Sequence, residues 1–530
     1  MELEGIEVGI LSIVPPLIAI TLALITKEVI FALLLGVGSG MFIYSIASGM
    51  GVIATFQLTT DLMIDKVSSN GDMMIFLALL GALVVVVTRA GGSRAYGLWA
   101  AQRLRGEKGT GIATTILAII LFIDDYFSCL AVGTVMRPIS DMHKMSREKL
   151  AYFVDSTAAP ICIIAPVSSW AAAVVTIIAN NSSMNGMQAF IMSIPMNLYA
   201  ILTLFMIFWL AFRPQDDYGP MAKAQRRAKM GQIESESWTS ESSDELANVK
   251  VSEKGVVLDL VIPVLVLIVL SIIAMLSYGG FWNNEAIATL PMGERIFEAF
   301  GETVPGPALA LASFISLIVA FVMYVPRKII DYKEFFSSMA DGVKSMVPAL
   351  MVLTLAWSIG GVCVDFLKTD QFVADMVSRS GFPPLLIPAI MFVVACFLAF
   401  ATGTAWGTFG ILIPITLTIT EAVAPELKLT ITALSAVLAG SVFGNHCSPI
   451  GDTSILSSTG AQCNIIDHIA TQMPYGITAA SVSVVGYVIA GLTSNMGYAK
   501  SVSITLPLTL ALLVVVLLIV PKALNKRTKA

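Results

Sequence analysis

The stretch GTGIATTILAIILFIDDYFSCLAVGTVM, residues 109–136, has two apolar arms around a pair of adjacent carboxylates, Asp124 and Asp125. Basic residues stand on both sides of it, with Arg103 before the first arm and Arg137 after the second. Lys and Arg collect on the cytoplasmic side of membrane proteins, so a single crossing would put one basic flank on the wrong side. Each arm has roughly 13 residues, whereas a spanning helix needs about 20. The stretch is therefore predicted to be a re-entrant hairpin that enters and leaves on the cytoplasmic side.

The composition also indicates a membrane protein. Of the 530 residues, 56% are hydrophobic and 13% are charged, against about 25% charged residues in a typical soluble domain. Lipid must therefore be part of the solvent, and no nucleic-acid partner is expected. None of the six cysteines forms a C-x-x-C pair, so neither a disulfide framework nor a zinc site is expected. No cofactor is expected apart from Na⁺ and H⁺ as coupling ions. Plain spans are predicted at residues 8–26, 28–47, 72–90, 188–212, 256–277, 306–325, 346–366, 470–492 and 501–520.

Three further apolar stretches, residues 147–180, 383–421 and 428–460, are interrupted by polar residues, Pro and Gly. The flanks of 383–421 are acidic or mixed, so this stretch is predicted to be a second hairpin that enters from outside. The other two are predicted to be broken spans. An acidic N-terminal segment and the basic tail PKALNKRTKA place the N-terminus outside and the C-terminus in the cytoplasm. About eleven crossings are expected.

The two halves of the chain share this order of elements. We predict a first transmembrane repeat at 1–213, a cytoplasmic linker at 214–254, a second repeat at 255–495, and a final helix with a basic tail at 496–530. In this order LFIDDYFS (121–128) falls opposite AFATGTAW (399–406), and FVDSTAAPI (153–161) falls opposite FGNHCSPI (443–450) with the Pro in register. Five crossings per half is an odd number, which inverts the second copy. The predicted fold is an all-α integral membrane protein with inverted repeats and helices broken at mid-membrane, a pattern of secondary transporters.

Asp124 and Asp125 are the first candidates for ion binding. A charged side chain in the membrane costs about 2.5–3.5 kcal/mol on insertion scales, so its presence needs a reason. Neighbouring carboxylates resist being ionised together, so a proton and a cation can compete for the pair. A structural pair that caps the backbone of the hairpin is the alternative.

Asp155 and Asp452 lie in the two broken spans among residues with oxygen atoms that suit a hard cation such as Na⁺. For Asp155, a place at the membrane interface is the alternative. His446 could relay protons or be a neutral core histidine, and Trp406 could line a substrate pocket or simply pack. The candidate ion- or substrate-binding residues are Asp124, Asp125, Ser128, Asp155, Thr157, Thr402, Thr404, Trp406, Asn445, His446, Ser448, Asp452 and Thr453. Of these, Na⁺ is expected at Asp124, Asp125, Asp155, Asn445 and Asp452.

Three blocks of sequence resemble a known family: GNHCSPIGDTSILSS (444–458), FATGTAWGTFGILIPI (400–415) and FIDDYFSCLAVGTVMRPISD (122–141). They are similar to the NhaC family of bacterial Na⁺/H⁺ antiporters, within the ion transporter superfamily. The resemblance covers nearly the whole chain outside the 213–254 loop. It implies an inverted-repeat fold in a bacterial inner membrane, with Na⁺ as coupling ion. Gly451 stands where many relatives are expected to have Ser.

The predicted function is Na⁺/H⁺ antiport by alternating access. The alternative is Na⁺-coupled transport of an amino acid or small organic acid in the same fold, with Trp170 and Trp406 shaping the pocket. Na⁺, H⁺ and the lipid bilayer are the expected partners, and a homodimer is compatible with the sequence. No enzymatic activity is expected, because the G-x-G-D element of intramembrane aspartyl proteases is missing around Asp452. A passive channel is disfavoured, since paired carboxylates would bind ions too tightly for fast passage.

Overall fold

Helices form every regular element in the part of the chain that the computed structural model describes. That part comprises residues 5–26, 28–103, 106–122, 125–166, 168, 170, 171, 174, 175, 177, 178, 182–234, 252–369, 371, 372, 375, 383–423 and 427–527. The α-helices are α1 Val14–Thr26, α2 Val29–Ala47, α3 Val52–Ser69, α4 Gly71–Arg89, α5 Gly92–Arg103, α6 Gly106–Ile120, α7 Asp125–Met142, α8 Arg147–Cys162, α9 Gly186–Ser193, α10 Leu198–Phe212, α11 Gly219–Lys229, α12 Leu258–Tyr278, α13 Glu285–Ala288, α14 Met292–Gly301, α15 Pro305–Tyr324, α16 Tyr332–Gly361, α17 Ile387–Thr402, α18 Ala405–Val423, α19 Leu427–Cys447, α20 Asp452–Ala461, α21 Ile465–Thr493 and α22 Tyr498–Arg527. Short 3-10 turns lie at Gly9–Ile13, Ile194–Met196, Pro214–Asp216, Pro384–Leu386 and Ser494–Met496, and a π turn lies at Val362–Phe366.

Eight helices in the described part are long and apolar enough to cross a membrane, and a ninth is added if α9 and α10, bent by 48° at their junction, form one span. Shorter apolar helices lie at Gly9–Ala19, Leu350–Phe366 and Ala405–Leu417. On α12 the side chains of Leu265, Val269 and Ile273 form an exposed apolar stripe at helical spacing, as expected for a face that meets lipid. The predicted multi-pass, all-helical membrane fold is confirmed. The inverted relation of the halves and the domain boundaries stay predictions.

The span predicted at 346–366 is the C-terminal part of a longer helix. Helix α16 begins at Tyr332 and runs for 30 residues. The helix continues through its charged residues. One of them, Asp341, accepts a bond from Arg89 of α4 at 2.6 Å. Pairing with a neighbouring helix therefore lets the amphipathic segment before the span stay helical.

Each predicted hairpin is a pair of helices joined by a short turn. In the first, α6 ends at Ile120 and α7 begins at Asp125, and the turn includes residues 123 and 124, which lie outside the described residues. In the second, α17 ends at Thr402 and α18 begins at Ala405. Gly403 ends α17 in the left-handed conformation, φ 69°, which glycine adopts without steric cost.

The second broken span is interrupted where its sequence holds Ser448 and Pro449. Helix α19 ends at Cys447, four residues of turn follow, and α20 begins at Asp452. Proline disfavours the helical conformation of the residue before it, which accounts for the break. In the first half, α8 ends at Cys162, two residues after Pro160. The first helix thus ends just after segment 153–161, and the second break lies at the end of the matching segment 443–450.

Glycines let these helices approach each other closely. A β-carbon at Gly133 of α7 would lie 2.8 Å from the backbone of Gly460 in α20. In α19, β-carbons at Gly440 and Gly444 would collide with backbone carbonyl oxygens of α17. Small residues at helix crossings are a usual means of tight packing in membranes. The first hairpin therefore lies directly against the second broken span.

The described part of the predicted linker packs against the helix bundle. Helix α11 buries Met221, Ala222 and Ala228. Before it, Asp217 accepts a bond from Lys149 at 2.6 Å, and Lys149 also donates to Glu107 at 2.6 Å. Buried charges therefore join the linker to the starts of α6 and α8. The polar run GQIESESWTSESSDEL (231–246) lies outside the described residues from position 235 onward.

Candidate functional site

Asp155 of α8 is the centre of a buried polar network. Its side chain is fully buried, and its Oδ2 accepts a bond from Gln472 Nε2 at 2.6 Å and from Ser454 Oγ at 2.8 Å. His468 Nε2 lies 3.2 Å from the same oxygen. These partners come from α20 and α21, about 300 positions further along the chain. One carboxylate of the first half is therefore held by three side chains of the second.

His446 faces the other oxygen of this carboxylate. Its Nε2 lies 4.0 Å from Asp155 Oδ1, and its Nδ1 lies 3.4 Å from the hydroxyl of Tyr199. Neither His446 Nε2 nor Asp155 Oδ1 has a hydrogen-bond partner within the described part of the chain. The carbonyl of His446 accepts a bond from Gln472 Nε2 at 2.7 Å. Asp155 thus lies between two imidazoles, His446 and His468, in an arrangement that can bind and exchange a proton.

Asp452 is the first residue of α20, directly after the break. Its Oδ1 accepts bonds from Asn445 Nδ2 and from the backbone N–H of Thr453, each at 2.8 Å. Its Oδ2 accepts a bond from the hydroxyl of Tyr126, at the start of α7. The carboxylate is fixed at a helix N-terminus, where the partial positive charge of the helix stabilises it. It connects the break in the second half to the first hairpin.

Asp125 belongs to a separate, partly aromatic group. Its Oδ1 accepts a bond from Trp170 Nε1 at 3.0 Å. The Trp170 ring centroid lies 5.5 Å from that of Trp406 and 5.6 Å from that of Phe409. Trp170 lies in the part of the first broken span that follows α8, while Trp406 and Phe409 lie on the second hairpin. Asp124, its predicted companion, lies outside the described residues.

Several hydroxyl groups that were predicted as ligands form hydrogen bonds to backbone groups instead. Thr157 donates to Phe153 O at 2.6 Å and Thr402 donates to Leu398 O at 2.8 Å. Thr404 accepts a bond from Gly407 N at 3.3 Å, near the start of α18. Ser448 donates to Phe400 O at 2.8 Å, which joins the break to the second hairpin. None of these four hydroxyls bonds to a carboxylate in the described residues.

Other predicted residues present buried oxygens that no donor reaches. Ser128 Oγ, Asn445 Oδ1, Thr453 Oγ1 and Asp155 Oδ1 have no hydrogen-bond partner in the part of the chain that is described. Within that part, no group of three or more His, Cys, Asp or Glu side chains is arranged to hold a metal ion. A hard cation would therefore have to take most of its ligands from neutral oxygens, which such cations accept readily.

Four residues whose side chains contact Asp155 or Asp452 are not among the predicted candidates: Tyr126, Ser454, His468 and Gln472. Two signals in the sequence point to them. His468 and Gln472 are four positions apart, so they share one face of α21, a largely apolar helix. Tyr126 and Ser454 lie one and two positions after predicted carboxylates.

A multi-pass helical membrane protein with buried carboxylates beside a broken helix belongs to the class of secondary transporters. The sequence profile of the Na⁺/H⁺ antiporter family matches residues 161–492. The chain belongs to this family, and the membership predicted from its sequence is confirmed.

Two of the proteins that this chain resembles are named as antiporters. An uncharacterized protein of Haemophilus influenzae is 37% identical over 93% of both chains. The malate-2H⁺/Na⁺-lactate antiporter of Bacillus subtilis is 27% identical over 34% of this chain and 39% of its own. The arginine/ornithine antiporter ArcD of Halobacterium salinarum is 29% identical over 31% of this chain and 33% of its own. The solved YdaH transporter of Alcanivorax borkumensis has 12% identity and a TM-score of 0.37, with 84% of this chain and 90% of that chain covered.

Proposed function

We propose that this protein exchanges Na⁺ for H⁺ by alternating access, and that the two ions compete for the charge of Asp155. The observation that supports this is the position of Asp155, fully buried between His446 and His468. A proton on this carboxylate neutralises it and so removes its attraction for a cation beside it. At 4 Å and an effective dielectric constant of about 20, two unit charges interact with about 4 kcal/mol. Binding one ion therefore disfavours the other strongly, which is the requirement for exchange.

The setting of this exchange is the inner membrane of a bacterium, with the N-terminus outside and the C-terminus in the cytoplasm. The distribution of Lys and Arg in the sequence supports this orientation. Asp125, Asn445 and Asp452 supply further oxygens near the breaks and the first hairpin, and freed backbone carbonyls can add to them. Alternating access then exposes the site to one side of the membrane at a time.

The test uses purified protein in liposomes that contain a pH-sensitive dye. A Na⁺ gradient alone should drive proton movement through the wild-type protein. The Asp155→Asn variant should lose this flux, because it keeps the shape of the side chain and removes its charge. Asp331→Asn is the matched control: Asp331 caps the exposed start of α16 by accepting a bond from Glu334 N at 2.8 Å, and Asn caps equally well. Wild-type flux through Asp155→Asn would refute the role of Asp155.

The alternative, Na⁺-coupled transport of an amino acid or small organic acid, is separated by the same assay. The aromatic group of Trp170, Trp406 and Phe409 beside Asp125 could surround such a solute. In that case the liposomes would show no flux with Na⁺ alone. Ion movement would begin only when the transported solute is added.

A further inference from the structure

Four buried tyrosines lie on α8, α10, α21 and the segment before α11. They are Tyr152, Tyr199, Tyr475 and Tyr218, and none is more than 1% exposed. The ring centroid of Tyr475 lies 4.8 Å from that of Tyr152 and 4.5 Å from that of Tyr218. Buried phenol hydroxyls usually have hydrogen-bond partners, so the bonds of these four show what the group connects. We call the four residues the tyrosine cluster.

The inner end of the tyrosine cluster contacts the surroundings of Asp155. The hydroxyl of Tyr199 lies 3.4 Å from Nδ1 of His446, whose Nε2 is 4.0 Å from Asp155 Oδ1. A β-carbon on Gly476, the next residue of α21 after a member of the cluster, would lie 3.5 Å from the same hydroxyl. Tyr152 precedes Asp155 by three positions on α8, so their side chains share one face of the helix. The cluster thus adjoins Asp155 through both α8 and His446.

The outer end of the tyrosine cluster contacts buried charges that extend to the surface. Tyr475 donates to Asp217 Oδ1 at 3.2 Å. Asp217 and Glu107 share Lys149, which lies 2.6 Å from an oxygen of each. We call these three charged residues the Lys149 group. Lys229, 56% exposed, lies 3.2 Å from the other oxygen of Glu107 and so connects the group to solvent.

The Lys149 group has the charge of a proton acceptor. Two ionised carboxylates share one buried lysine, so the buried part of the group holds one more negative than positive charge. Burial raises the pKa of the Asp217 carboxyl from its ordinary value, although Lys149 opposes this shift. Asp217 is also the member of the group that Tyr475 contacts. A proton taken up there is therefore placed directly at the tyrosine cluster.

The hydroxyl of Tyr152 has no structural use in the described part of the chain. It is buried and has no hydrogen-bond partner there. A buried hydroxyl without a partner is unfavourable, and phenylalanine would fill the same place without this cost. Such hydroxyls are sites for ordered water. A hydroxyl can accept one proton while it gives another, so it passes a proton on with its own charge unchanged.

We propose that the Lys149 group and the tyrosine cluster conduct the proton between the side of the membrane on which α8 begins and Asp155. This inference rests on the proposed Na⁺/H⁺ exchange and adds the route of the proton. A proton from water is taken up at Asp217, the hydroxyls pass it on, and Asp155 ends as the neutral acid. Ordered water would carry the steps between hydroxyls that no direct bond makes. The basic flanks of α8 predict that this side is the cytoplasm.

The test compares two kinds of exchange in liposomes. Na⁺-driven proton flux requires the route, whereas exchange of radioactive for unlabelled Na⁺ at equal concentrations moves no proton. Tyr152→Phe removes a hydroxyl that forms no bond in the described part of the chain. A positioned group speeds proton transfer about 100-fold or more, and since water can replace part of this effect, we expect the ratio of proton flux to Na⁺ exchange to fall about tenfold.

The control is Tyr487→Phe. Tyr487 is a fully buried tyrosine of α21 outside the tyrosine cluster, and its hydroxyl donates to Met196 O at 2.9 Å. The loss of this bond can change the stability of the protein, but the ratio of the two exchange rates should stay that of the wild type. If Tyr152→Phe yields no folded protein, Tyr475→Phe takes its place with the same expected fall in the ratio.

The outcomes separate this inference from the proposed function. An unchanged ratio in Tyr152→Phe would overturn the proton route and leave the proposed exchange standing. An equal fall of both exchange rates would do the same, because it would show that the hydroxyl supports only the structure. A wild-type protein that shows no Na⁺-driven proton flux would overturn the proposed function and this inference together.

Discussion

The hydroxyl of Tyr126 donates a hydrogen bond of 2.5 Å to Asp452 Oδ2, although 326 positions separate the two residues in the sequence. The bond joins the first hairpin to the broken span of the second half. A converse contact exists, since Trp170 of the first half packs on Trp406 of the second hairpin. Each hairpin is thus held by the broken span of the other half. A movement of either half changes the surroundings of the carboxylates in both.

The Tyr126→Phe variant tests this contact. The substitution keeps the ring and removes the donor, so Asp452 loses one of the bonds that fix it. Removing one partner of a buried charged group costs about 1–3 kcal/mol, and 1.4 kcal/mol corresponds to about tenfold in affinity. We expect the KM for Na⁺ to rise about tenfold in liposome flux assays. Tyr278→Phe, at a ring that is half-exposed, should leave the KM unchanged. An unchanged KM in Tyr126→Phe would show that this bond does not support cation binding.

The two tryptophans of the aromatic group should respond differently to substitution. Trp170→Phe removes the indole N–H that donates to Asp125. Trp406→Phe keeps an aromatic ring that packs against Trp170. We therefore expect Trp170→Phe to lower the rate of Na⁺-driven proton flux severalfold and Trp406→Phe to keep most of it. Equal losses in both variants would indicate that the packing of the rings, rather than the bond to Asp125, is what matters.

The buried charges around Lys149 should matter for stability. Lys149, Asp217 and Glu107 have side chains 1%, 5% and 9% exposed. Lys149→Met would leave two buried carboxylates without their shared cation, a change that costs about 3–5 kcal/mol. We expect a clear fall in the Tm of the purified protein. Lys344→Met removes a surface ion pair whose lysine is 63% exposed, and pairs of this kind contribute about 0–1 kcal/mol. A similar Tm for the two variants would contradict the assignment.

The sequence predicted the parts of the site that are chemically unusual for a membrane span. Asp155 and Asp452 stand out because a carboxylate in an apolar segment needs a reason. The breaks stand out because Pro and Gly interrupt the helical pattern. The helix pairs at the two predicted hairpins follow from the interruptions in their apolar stretches. Their re-entrant path stays a prediction, and the first arm of the second hairpin, Pro384–Thr402, is itself long and apolar enough to cross a membrane.

The partners of the carboxylates could not be predicted in the same way. His468 and Gln472 reach Asp155 only because α21 packs beside α8, a contact between helices about 300 positions apart. Conversely, hydroxyl groups at a hairpin tip suggest ion ligands, yet Thr402 bonds to its own helix because the carbonyl one turn earlier is nearer. Local composition reveals which residues are costly in a membrane, but the packing of helices decides which groups meet them.

The distance in sequence between Asp155 and its partners has a consequence for the assembly of the protein in the cell. Gln472 is 317 positions after Asp155. At a synthesis rate of about 5–20 residues per second, roughly 15–60 s pass between their emergence from the ribosome. During this interval the carboxylate of the newly inserted α8 has none of the three side chains that hold it in the finished protein. A chain that stops before residue 454 keeps Asp155 in this state permanently, with a charge in the membrane and none of the three side chains that hold it.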